Sequence, residues 1–251
     1  MIAAVLVTHN SAQFLPELLA SIAAQSVAPD MIIAVDDNST DNTIQLLQDF
    51  GVEILPSESK ATDITTRIAQ NFVQGVNRAG DRGAEIVILG DHDDIWEPDR
   101  VEHQRDFMLS HPEIALVASD GTTTSGHTLR STFPVPPNFN GMNRDQQWRY
   151  AAKHSIATGG ASALRPKALS TIEVPAGWLH DRWWSLRAVR ESCMAVDTHV
   201  VISYRISQAQ QVGLDTGEQH NRIRWAIKKI SQAPLTWKKM KDISSLLQQT
   251  R

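Results

Sequence analysis

Apolar positions in the first half of the chain fall into two alternating patterns. Ala3 to Val7 and Met31 to Val35 are unbroken apolar runs, Val52 to Leu55 makes a third short strand, and Ile86 to Leu89 a fourth. Short runs without polar alternation mark strands covered on both faces. Between them Phe14, Leu15, Leu18, Leu19 and Ile22 recur at helical spacing, with Asn10 and Ser11 available as caps. Ile44, Leu46 and Leu47 continue as a helix capped by Ser39 or Asp41, and a longer amphipathic helix covers Ile64 to Arg78. The order βαβαβαβα predicts an α/β fold with a mostly parallel central sheet flanked by helices.

The second half is less regular. IWEPDRVEHQRDFM, from Ile95, reads as a helix, and Ala115 to Ala118 as a strand. Gly121 to Asn143, rich in Thr, Ser, Gly, Pro and Asn, predicts a long loop or hairpin, with order returning near Trp148. From Arg222 the pattern is that of one or two amphipathic helices interrupted at Pro234.

At 251 residues and 41% hydrophobic content the chain is large enough for one substantial core. A net charge of -4 argues against general affinity for nucleic acid. That charge is uneven: residues 219–251 carry eight basic side chains against the single acid Asp242, leaving the rest near -11. Trp225, Ile227, Ile230 and Trp237 alternate with the bases there, a pattern open both to peripheral membrane contact and to packing on the acidic remainder. Cys193 is the only cysteine, so no intramolecular disulfide can form. The start MIAAVLVTHN lacks a basic leader, and no apolar window reaches membrane-spanning length. The expectation is a soluble, cytoplasmic protein, with peripheral contact at the inner face of the plasma membrane left open.

The most informative chemistry is LGDHDDIWEPDR, Leu89 to Arg100. Asp91, Asp93 and Asp94 follow a buried strand, at the sheet edge where open α/β folds bind ligands. Carboxylates in an Asp-x-Asp spacing can meet on one hard divalent cation, Mg2+ or Mn2+, together with a diphosphate. The competing reading is a helix start capped by Asp93 and Asp94.

Other segments decide between these. VTHNSAQFLPELLASIAAQS at Val7, VDDNSTDNT at Val35 and LGDHDDIWEPDR together resemble the nucleotide-diphospho-sugar glycosyltransferases of family 2, which have a GT-A (Rossmann-like) fold. TGGASALRPKAL at Thr158 and LHDRWW at Leu179 extend the likeness toward a bacterial rhamnosyltransferase-like subgroup. The resemblance implies a GT-A domain over 1–218, with a nucleotide-sugar-binding half at 1–110 and an acceptor half at 111–218, and a basic helical extension at 219–251.

It also implies roles. Thr8 and His9 end the first strand where the family packs the nucleobase, with His9 either stacking on it or structural; Asp37 bonds the base or ribose while Asp36 orients the turn, and Asp91 and Asp93 belong to the metal motif, with Asp93 the direct ligand. Arg67 reads as a solvated helix residue, with a phosphate contact as the minority reading. Asp181 is the implied general base of an inverting transfer, and Gly159, Gly160, His180 and Trp183 the implied acceptor side. For Trp183 and Trp184 simple packing weighs more than sugar stacking. Arg205 is an implied diphosphate contact, while Ser207 stands where the subgroup often carries a histidine. The implied reaction moves a sugar from a UDP, dTDP or GDP donor to a saccharide or lipid-linked saccharide in cell-surface polysaccharide synthesis. The alternatives are a sugar-phosphate nucleotidyltransferase, disfavoured because the first strand is not followed by a glycine-rich basic loop, and a diverged nucleotide-sugar-binding protein with little turnover.

Overall fold

A computed structural model describes residues 1–123, 126–169, 171–205 and 237–248. The first half alternates as expected: β1 (Ile2–Thr8), α1 (Leu15–Ala23), β2 (Met31–Asp36), α2 (Thr43–Asp49), β3 (Glu53–Pro56), α3 (Ile64–Asp81) and β4 (Ile86–Asp91). β5 (Ile95–Trp96), α4 (Arg100–Ser110), β6 (Leu116–Thr123), α5 (Leu129–Thr132), α6 (Arg144–Ala151), β7 (Ser162–Leu164), α7 (His180–Arg190), β8 (Met194–Tyr204) and α8 (Trp237–Gln248) follow.

One eight-stranded sheet runs β3-β2-β1-β4-β7-β6-β8-β5. β1 to β4 pair in parallel, β7 is antiparallel to both neighbours, and β6 and β8 are parallel. The alternation along β1 explains its apolar run. Ala3 and Val5 face a core with Phe72, Val76, Trp184 and Val189, whereas Ala4 and Leu6 face Leu15, Leu18, Val101 and Met108. Every side chain of the strand therefore meets a helix layer. Gly75 lets α3 lie close, since a Cβ there would come 2.5 Å from Val5 Cγ1.

Several local expectations are corrected. The helix predicted from Ile95 begins only at Arg100, because Ile95 and Trp96 pair with Ser203 and Ile202 of β8. Asp93 and Asp94 therefore do not cap it. Asn10 and Ser11 do not cap α1 with their side chains; the chain makes a turn first, and the amides of Phe14 and Leu15 both bond the Ser11 carbonyl. Before α2, Asp41 Oδ1 accepts from the Thr43 amide, while Ser39 turns back to Asp36. The strand predicted at Ala115 to Ala118 runs on to Thr123, and the irregular stretch after it holds α5 and a short 3-10 turn at Phe139–Gly141. β7 and β8 carry too little periodicity to announce themselves; their partners select them. The expected break at Pro234 and the positions of Trp225, Ile227, Ile230 and Ser207 lie outside the described residues.

The basic C-terminal segment is partly placed. α8 joins the core through Ile243 and Leu246. Trp178 Nε1 donates to Asp242 at 3.0 Å, and Lys239 lies 4.9 Å from the Trp178 ring centre. No described helix is long and apolar enough to cross a membrane.

Candidate active site

Strand order reverses at β1, with β2 on one side and β4 on the other, the switch point where open sheets form a crevice at the strand ends. Register places the acids there: Thr8 pairs with Asp36, and Val7 with Asp91.

At the β2 end the two aspartates divide the work. Asp36 accepts from Thr8 Oγ1 at 2.9 Å and from the Ser39 hydroxyl and amide at 2.6 and 2.9 Å. Thr8 is fully buried, and its carbonyl takes the Asp37 amide at 2.8 Å. Its hydroxyl is thus committed to tying β1 to β2. His9 Nδ1 donates to the Asp37 carbonyl at 2.6 Å, which fixes the proton on Nδ1 and leaves the ring half-buried at the crevice. Asp37 pairs with Arg67, Nε to Oδ2 2.6 Å. Arg67 is therefore neither a solvated helix residue nor aimed away; the tertiary fold brings it beside Asp37.

At the β4 end the chain turns sharply after Asp91 and buries Asp93 and Asp94. Gly160 packs against this turn: a Cβ there would fall 2.6 Å from Asp94 Oδ2 and 2.7 Å from Asp91 Oδ2. Asp94 Oδ2 has no hydrogen-bond partner among the described residues. Burial, then Asp93 and Asp181, push the Asp91 carboxyl up to about 7, although the Arg100 charge and the Gly160 amide oppose this. Asp94 is pushed well above the usual carboxylate range by burial and by Asp91 and Asp93.

Arg100, which the motif alone does not mark as a site residue, sits beneath. It is fully buried, stacks 4.0 Å over the Trp96 ring and donates to the Leu89 carbonyl at 2.5 Å. Burial draws its pKa down to about 9 against the pull of Asp94 and Asp91. Only the short β5, which starts α4 at Arg100, could have signalled this. Arg205 closes the turn from above, with Nε 3.0 Å from the Asp93 carbonyl and Nη2 2.7 Å from Glu17.

Asp181 stands at the start of α7. Its Oδ2 accepts the Gly159 amide at 3.1 Å and its Oδ1 the Arg182 amide at 2.5 Å. Burial raises its pKa to about 6, while those two amides and the Arg182 charge hold it down. His180 and Trp183, expected on the acceptor side, are only 4% exposed each. His180 stacks on Phe72 at 3.9 Å, neither ring nitrogen has a partner among the described residues, and burial drops its pKa to about 3. Trp183 packs on Trp178 at 5.2 Å. Neither presents a ring to an acceptor, because helical spacing turns both into the core. Gly159 is small because His180 lies under it, a Cβ there falling 2.5 Å from Nε2.

The donor set suits a hard cation: all oxygen, anionic and crowded by like charge. Among the described residues no group of three or more His, Cys, Asp and Glu side chains is arranged to hold a metal ion. Two carboxylates with the remaining positions left to water and phosphate is the usual Mg2+ arrangement, so the residues fit such an ion.

Known proteins agree with this architecture. The dTDP-rhamnosyl transferase RfbG of Shigella flexneri is 28% identical over 108 residues, 41% of this chain and 36% of that protein. A PGL/p-HBAD biosynthesis glycosyltransferase of Mycobacterium tuberculosis is 29% identical over 122 residues, 48% of this chain and 46% of its own. The matches thus span less than half the length of these relatives. S. aureus TarS 1-349 in complex with UDP-GlcNAc superposes with TM-score 0.62 at 15% identity, covering 98% of this chain and 71% of that one. The mannosyltransferase PcManGT of Pyrobaculum calidifontis, with GDP-Man and Mn2+, gives TM-score 0.55 at 16% identity over 83% and 57%. The glycosyl transferase family 2 profile matches residues 3–172, a span that holds the switch point, the aspartate turn and both site glycines, and the chain belongs to that family.

Proposed function

We propose that this glycosyltransferase moves a sugar, with inversion at the anomeric carbon, from a nucleoside-diphosphate donor to a hydroxyl of a saccharide or lipid-linked saccharide. The observation that supports the reading is the approach of Asp91 and Asp181 to adjacent glycines, Gly160 and Gly159, which leaves the two carboxylates on either side of one narrow strip of backbone. On this reading the nucleoside lies against His9 and the Asp37–Arg67 pair.

Asp91 and Asp93 would hold Mg2+ or Mn2+, with Asp94 and Arg100 supporting them from below. When bound, that ion supplies positive charge to the departing nucleoside diphosphate. Asp181 takes the proton from the acceptor hydroxyl as its oxygen forms the bond to the anomeric carbon. The bond from that carbon to the diphosphate oxygen breaks, and its electron pair leaves with the nucleotide. One carboxylate suffices on the protein because the leaving group is already a weak base.

The rhamnosyl relative favours a deoxysugar carried on dTDP, and cell-surface polysaccharide assembly as the setting. UDP and GDP donors stay in the test because solved neighbours are complexes with UDP-GlcNAc and GDP-Man. The test is calorimetric binding of UDP, dTDP and GDP, with and without Mn2+, to the wild type, Asp93→Asn and Asp181→Asn. Metal-dependent binding of one nucleotide, lost in Asp93→Asn and kept in Asp181→Asn, is expected. No binding in any condition overturns the reading; binding without donor turnover returns the diverged-protein alternative.

A further inference from the structure

Beyond the donor crevice, one face of α6 carries a feature that the transfer reaction has not used. Met142, Gln146, Arg149, Tyr150, Lys153 and His154 line an open pocket of about 360 Å3. Gln146, Arg149 and Tyr150 lie on α6, and Lys153 and His154 lie in the turn after it, where both their amides bond the Tyr150 carbonyl, so they form one surface stripe. Arg149 on α6 and Lys153 in the turn after it are both exposed cations on this pocket. The pair stands out because the chain outside the basic tail is acidic. The Tyr150 and His154 rings stack at 4.4 Å and 24°, and Tyr150 is anchored by donating to the Pro134 carbonyl.

The stripe leads to the base. Arg182, the residue after Asp181, donates to the carbonyls of Ala152 and His154 at its end. Lys239 of α8 approaches the same guanidinium closely enough to feel its charge. The turn after α6 and Lys239 of α8 therefore both approach Arg182, one residue from the carboxylate that faces Gly159. From His154 to Gly159 the backbone spans at most about 17 Å, the reach of a short oligosaccharide.

We infer that this stripe is an acceptor subsite for a saccharide bearing an oxyanion, a phosphate or a carboxylate. The anion pairs with Arg149 and Lys153, and the paired rings offer an apolar face to a sugar. The inference rests on the transferase reading and adds the acceptor's charge to it.

The test compares wild type, Lys153→Glu and a charge-matched control elsewhere on the surface, Lys167→Glu, on an array of neutral, uronate-bearing and phosphate-bearing oligosaccharides. Wild type should retain anionic members over neutral ones. Lys153→Glu should weaken that retention on the order of fivefold, the scale of one partly exposed ion pair, and Lys167→Glu should leave it in place. The uronate and phosphate arms identify the oxyanion. Equal retention of neutral and anionic sugars, retention of none, or equal loss in both variants overturns the inference. So does loss by Lys153→Glu of binding to anionic vesicles but not to any saccharide. Nucleotide binding by the same proteins reports separately: if it is intact, a negative array strikes only the subsite, and if it is absent, the transferase reading falls.

Discussion

Asp91 and Asp181 lie against successive glycines: Asp181 Oδ2 accepts the Gly159 amide at 3.1 Å, and a Cβ on Gly160 would fall 2.7 Å from Asp91 Oδ2. The two carboxylates belong to β4 and α7, 90 residues apart, yet their separation is fixed by one peptide unit. Each is also partly exposed, so both can be reached from the crevice. Burial first, then Asp93 and Asp181, raise the Asp91 pKa, and a divalent cation held by these carboxylates would relieve that crowding.

If Asp181 is the base of the proposed transfer, it should set the acid limb of the pH profile. Its pKa, raised to about 6, means that the carboxylate able to accept a proton predominates only above that pH. Transfer should fall tenfold per unit below pH 6 and level off above it. Asp181→Asn should lower turnover by about 10²- to 10⁴-fold. A steady-state profile from pH 4.5 to 8 checks this; an unchanged rate at pH 5 would remove Asp181 from the base role.

Asp91 should oppose folding of the metal-free protein. Its folded pKa of about 7 lies above the ordinary carboxylate value near 3.9, so the folded state holds the proton more tightly. Stability is then full below about pH 4 and is lost as pH rises through 7. Asp91→Asn, which removes that ionisation, should raise Tm more at pH 8 than at pH 5.5. The gain is bounded by about 1.4 kcal/mol per unit of displacement. Thermal melts in chelator at both pH values decide it; a larger gain at the lower pH would contradict the assignment.

Arg100 should behave as the buried counter-charge of the aspartate turn. Arg100→Met strips positive charge from beside Asp94 and Asp91 and should cost about 3–5 kcal/mol. Adding Asp94→Asn should recover part of that loss, because the carboxylate left unpaired is then neutral. Urea unfolding of both single variants and the double one measures the coupling, and strictly additive effects would show that the two groups act apart.

Gly160 should be intolerant of a single methyl group. Gly160→Ala puts a Cβ within 2.7 Å of carboxylate oxygens on Asp91 and Asp94, so the turn must shift. Mn2+-dependent nucleotide binding should weaken at least on the order of tenfold, the scale seen when the support of a metal site is disturbed. Gly141→Ala, where nothing lies within 4 Å, provides the control and should bind as wild type does. Equal affinities in the two variants would mean that the turn is more pliant than its packing implies.

Much of this was legible in the chain itself. The apolar runs of β1, β2 and β4 and the helical spacing of α1 and α3 are local properties, and they sufficed for a parallel sheet and for aspartates at its ends. The order of the motifs likewise carried the family. The motif already set Asp36 apart as the turn residue, and it does bond Thr8 and Ser39, but the pairing of Asp37 with Arg67 was hidden, because only the meeting of β1, β2 and α3 brings them together. Arg100 looked like one more charged helix residue until β5 paired with β8 and drew the start of α4 under the turn. His180 and Trp183 sit in a motif, but the packing of α7 on Phe72 and Trp178 buries their rings. Periodicity and spacing are set along the chain, so the sequence determines elements and their order. Burial, like-charge crowding and the contacts of Gly159 and Gly160 join residues far apart in sequence, so the tertiary structure alone decides the chemistry those elements present.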